Sequence, residues 1–68
     1  MDRLEPARAL IVDVIATLED ATEALMPGQA PNSSADEIFA GIAVLRAVAE
    51  TLIKHADQLE ASVEGSKP

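Results

Sequence analysis

Apolar residues along the chain return every three or four positions in two long stretches. The first row is Leu4, Ala7, Ile11, Val14, Leu18, Ala21 and Leu25; the second is Ile38, Ile42, Leu45, Ala49, Leu52, Ala56, Leu59 and Val63. Alternating threes and fours are the mark of a helix face that meets another helix, whereas a strand would alternate by twos. No charged residue falls on either row. Between them, Met26-Pro27-Gly28-Gln29-Ala30-Pro31-Asn32-Ser33-Ser34 gathers two prolines, a glycine and small polar residues, the composition of a loop. The pattern predicts one all-α domain over residues 1–68, an antiparallel two-helix hairpin. Helix 1 is expected near 3–26, the loop over 27–34, helix 2 near 35–63 and a flexible tail over 64–68.

Local signals sharpen those ends. Ser34-Ala35-Asp36-Glu37 has the form of a capping box, in which Ser34 accepts from the Glu37 amide and Glu37 reaches back. Asp2 and Glu5 offer a similar start to helix 1, where Pro6 is tolerable only in the first turn. Gly28 suits a left-handed stop after the first row. Folding the chain at the loop pairs Leu25 with Ile38, Leu18 with Leu45, Ile11 with Leu52 and Leu4 with Leu59, and keeps the two rows in phase. Gly41 within helix 2 costs about 1 kcal/mol against alanine. Either a neighbouring helix approaches closely there or the glycine is merely tolerated.

The apolar surface is wider than one hairpin seam. Helix 1 adds Leu10, Val12 and Ile15, and helix 2 adds Phe39, Val44, Val48 and Ile53. Burying a large apolar side chain is worth about 1.5–3 kcal/mol, so leaving seven in water forfeits on the order of 10 kcal/mol. A chain of 68 residues is marginal alone and usually needs disulfides, a metal or association. Cysteine is absent, and the single His55 cannot make a zinc site by itself. Association is left. The simplest form is a homodimer in which two hairpins build a four-helix bundle, with the seven added residues at its interface; a different partner covering the same patch is the alternative.

Charge narrows the partners. Twelve acids against five lysines and arginines leave a net charge of −7, which disfavours direct contact with nucleic acid or an anionic membrane. Glu19, Asp20 and Glu23, with Asp13, form one acidic face; Glu50, Asp57, Glu60 and Glu64 form another. Such faces are usually only solvated, but they also suit a basic protein partner, including a DNA-binding regulator. The longest apolar run, Ile38 to Leu45, is far short of the roughly 20 residues that span a bilayer, and the N-terminus lacks a signal peptide's basic and apolar segments. A cytoplasmic location is expected.

Chemistry finds no foothold. The Glu-x-x-His motif of di-iron bundles is missing, because Leu52-Ile53-Lys54 precedes His55. The rows hold no acid for a buried carboxylate pair, cysteine is lacking, and the serines lie in the loop or towards the C-terminus. No catalytic residue, metal or cofactor is expected, and no enzyme. His55 reads as a surface or interface-edge histidine, with a pH-responsive dimer edge as the sharper alternative.

Ala9-Leu10 through Leu25, then Ile38-Phe39-Ala40-Gly41-Ile42-Ala43-Val44-Leu45 leading to Ala49-Glu50-Thr51-Leu52-Ile53, resembles short helical-hairpin proteins of proteobacteria, notably pseudomonads. In size, charge and architecture the chain is also similar to small phage-encoded inhibitors that bind host regulators. Those likenesses transfer no functional residue. Together with the residues, they lead to a small acidic protein–protein interaction module, a regulatory or inhibitory adaptor. The alternative is a purely structural, self-assembling helical subunit.

Overall fold

The computed structural model describes residues 3–65. Two helices, α1 (Glu5–Gln29) and α2 (Ala35–Glu64), fold against each other as a hairpin, and the described residues contain no strand. The expected tail beyond Gly65, and Asp2 as a start signal, lie outside the described residues.

α2 begins as its sequence dictates. The Glu37 amide donates to Ser34 Oγ and the Ser34 amide donates to Glu37 Oε1, both at 3.2 Å, closing the capping box. These bonds satisfy amides that have no partner inside the helix. Asp36 and Glu37 add negative charge where the helix dipole favours it. α1 starts with no such device: Leu4 occupies the cap position without a side-chain hydrogen bond, and Pro6 falls in the first turn, where a missing N–H is harmless.

The end of α1 differs from expectation. The helix runs through Pro27 and Gly28 to Gln29, three residues beyond the expected stop. Pro27 removes one bond to the Glu23 carbonyl, but on an exposed side, where water can replace it. Gly28 is not a left-handed cap, since no described glycine has positive φ. The stop comes from Pro31 instead. A residue before proline is driven out of the helical region, and Ala30 is extended at φ −62°, ψ 144°.

The register also differs. A Cβ on Gly41 would lie 3.3 Å from Leu25 Cδ2, and one on Gly28 would lie 3.8 Å from Ile38 Cα. Leu25 therefore meets Gly41, and Gly28 takes the place opposite Ile38. The expected pairs are displaced by three residues, nearly one helical turn. Only Gly41 is tight: a methyl there would crowd Leu25, whereas one on Gly28 would make ordinary contact, nearest the Glu37 carbonyl oxygen at 3.5 Å.

Candidate interaction surface

The faces that join the helices mix small residues with valines and leucines. Buried or half-buried positions on α1 are Ala7, Leu10, Val14, Thr17, Ala21, Leu25 and Gly28; on α2 they are Gly41, Val44, Val48, Leu52, His55, Leu59 and Ser62. Only Ala7, Ala21 and Gly41 are buried among the described residues, and no large side chain is. Thr17 fits this apolar contact because its hydroxyl donates back to the Asp13 carbonyl at 3.0 Å and need find no partner across the seam. His55 fits less well. It is half-buried on the contact face, and its Nδ1 is buried with no hydrogen-bond partner.

Larger apolar residues lie elsewhere. Leu4 at the α1 cap and Ile11, Ile15, Leu18 and Met26 on α1, with Ile38, Ile42, Leu45, Ile53 and Val63 on α2, are all exposed; Leu45 is 54% exposed. At about 100° per residue, the α1 row lies roughly a quarter turn round from that helix's contact face. The α2 row, with Ala49 and Ala56 in its gaps, lies a quarter turn round in the same sense. Because the helices run in opposite directions, equal rotations bring both rows to one side of the hairpin. Two shallow concavities near the loop agree. One, of about 340 Å³, is lined by Thr22, Leu25, Met26 and Gln29; the other, of about 280 Å³, spans both helices from Leu25 and Gly28 to Ile42 and Leu45. Thr22, the polar member of the α1 row, donates its hydroxyl to the Leu18 carbonyl at 2.8 Å and so tolerates an apolar neighbour.

The seven residues expected at a second interface therefore divide. Leu10, Val44 and Val48 are half-buried in the hairpin contact itself. Val12, Ile15, Phe39 and Ile53 are exposed, Phe39 most of all at 67%. Ile15 and Ile53 belong to the open face; Val12 and Phe39 sit at its outer edges. Leu4, Ile11, Leu18, Ile38, Ile42 and Leu45 join it from rows that sequence reasoning had placed inside the hairpin.

The acidic residues also divide. Glu19, Asp20, Glu23, Glu50 and Asp57 are exposed on the flanks and back. Glu60 is exposed too, but it shares the helical row of Ile42, Ala49 and Ile53, so it interrupts the apolar face instead of extending the acidic one. Among the described residues there is no cluster of three or more potential metal ligands, and no helix is long and apolar enough to cross a membrane. No protein-family model, curated protein or solved structure matches the chain.

Proposed function

We propose that the chain is a protein–protein interaction module of the cytoplasm, a small regulatory or inhibitory adaptor that works as a homodimer. Two hairpins close their open faces on each other as a four-helix bundle, and the acidic backs are left to meet a basic protein. One observation carries this reading: ten large apolar residues lie exposed along one side, while the contact between the helices buries no large side chain. Contiguous exposed apolar surface of this extent marks a binding face.

Shape supports the same reading. The radius of gyration is 16.0 Å, against about 11 Å for a compact domain of this length. The accessible surface is 5291 Å², against about 4,100 Å² for a compact monomer of this mass. The excess is about 1,200 Å² per chain, comparable to what one partner contributes to an obligate interface.

Light scattering after size exclusion tests it. About twice the 7.1 kDa chain mass is expected at micromolar concentration. A monodisperse species of single mass with full helicity and a sharp melt would refute the dimer. The adaptor role needs a tagged pull-down from the native cell, and recovery of only the chain itself would favour a structural subunit.

A further inference from the structure

We propose that the second copy covers the open face with both loops at the same end, so that α1 of each hairpin lies on α2 of the other and Arg8 pairs with Glu60 across both edges. This rests on the dimer reading above and assigns the geometry that reading leaves open.

Leu25 beside Gly41, and Gly28 beside Ile38, set the level of every residue along the hairpin, because both helices rise about 1.5 Å per residue. Two face-to-face packings are possible. In one, the twofold axis runs along the helices, and α1 meets the other copy's α2 at equal levels. In the other, the axis crosses the helices, the loops lie at opposite ends, and each helix meets its own copy.

The first packing matches the open face row by row. Leu18 comes within one residue of the level of Ala49 of the second copy, and Ile11 of Ala56, so at these two levels a large side chain meets a small one, while Leu4 comes beside Val63. Arg8 is the charged member of the α1 row Leu4, Arg8, Ile11, Ile15, Leu18, and Glu60 is the charged member of the α2 row. They lie about two residues apart in level, some 3 Å of rise, within the reach of two long side chains. Phe39, the most exposed large apolar residue, comes beside Met26, where sulfur and ring can pack.

The second packing mismatches these same residues. With the rows fully overlapped, Glu60 falls on Ile42 of the other copy and Arg8 on Thr22. Phe39 then lies beside Val63 and Glu60. Two independent features, the opposite charges and the Phe39–Met26 edge, therefore favour the first.

The chain has no cysteine, so Asn32→Cys in the loop provides a unique label site. Dipolar spectroscopy on the spin-labelled, otherwise native chain should give a short loop-to-loop distance, since neighbouring bundle helices lie only about 8–10 Å apart. A distance approaching the hairpin's own 54 Å length would overturn the orientation and leave the dimer standing. A monomer would overturn the dimer reading itself. Charge exchange is the second arm. Arg8→Glu and Glu60→Arg should each weaken dimerisation about tenfold, and the double variant should regain most of the loss. Weakening without recovery in helical, folded variants would overturn the pairing.

Discussion

The two long surfaces of the hairpin divide the chain's apolar residues unequally. Where α1 meets α2, alanine, glycine, valine, threonine and serine stand with Leu10, Leu25, Leu52, Leu59 and His55, and all but Ala7, Ala21 and Gly41 are only half-buried. On the open side stand isoleucines, leucines, Met26 and Phe39, exposed by a third to two thirds. Small residues allow close approach and set the register, but they remove little apolar area from water. The stabilising potential of the sequence lies mostly in the side chains that the hairpin leaves uncovered. The contact face gives the shape, and the open face holds the larger share of the hydrophobic energy.

The largest effect is expected from a charge on the open face. Leu45→Glu would place a carboxylate opposite a second apolar surface, and an unpaired charge in such a site costs about 3–5 kcal/mol. Dimer loss of a hundredfold or more is expected, with melting temperature falling in step. Val12→Glu, at the outer edge, should cost much less. Sedimentation and thermal melts of the two variants side by side provide the check; a Leu45→Glu protein that dimerises like the parent would remove the open face from the interface.

The contact face should respond in the opposite direction at His55. Its Nδ1 is buried without a hydrogen-bond partner, and an unsatisfied polar atom of this kind costs about 1–3 kcal/mol. His55→Leu replaces it with a side chain suited to its neighbours Leu52 and Leu59. A gain of about 1 kcal/mol in chemical denaturation is expected, and a loss would mean that the imidazole has a role the contact face does not reveal.

A smaller gain is expected at Gly41. Alanine there recovers up to about 1 kcal/mol of helix propensity. The added methyl would stand 3.3 Å from Leu25 Cδ2, close enough that one must yield. Leu25 borders both loop-end concavities and has room to turn away, so the propensity term should win. Gly41→Ala should stabilise by a few tenths of a kcal/mol. Gly41→Leu should destabilise, because a branched side chain cannot fit against Leu25 at this separation.

These two glycine outcomes turn on what sequence reading could and could not resolve. The helices, the loop and the Ser34–Glu37 box were legible because each rests on interactions within a few residues. The register was not. On α1 the apolar arc runs from Thr17 round to Met26, about half the helix circumference at roughly 100° per residue. The rows of threes and fours traced the middle of that arc, between the contact face and the open face. Spacing alone cannot say which flank meets the second helix. In the structure the flank that meets the second helix is the one that carries Gly28, with Gly41 facing it from α2. The run of α1 through Pro27 was obscured for a related reason: Pro31, not Pro27, forces the backbone out of the helix.

The least effect on the fold is expected from the acidic flanks and back of the hairpin. Changing Glu19 and Glu23 to glutamine and Asp20 to asparagine removes three negative charges, taking the net from −7 to −4. These side chains are exposed, so stability should change by no more than about 0.5 kcal/mol. Glu50 and Asp57 make the matching test on α2, with Glu60 left untouched because its place in the apolar row ties it to the dimer. Any partner recovered by pull-down then separates two accounts of the charge. If the flanks dock a basic surface, one of these sets should slow association, and binding should weaken as screening lengths shrink from about 10 Å at 0.1 M salt to about 3 Å at 1 M. If the acids serve solubility alone, binding should ignore both sets and the salt. It should instead depend on Phe39, whose ring stands at the edge where the open face and the α2 flank meet.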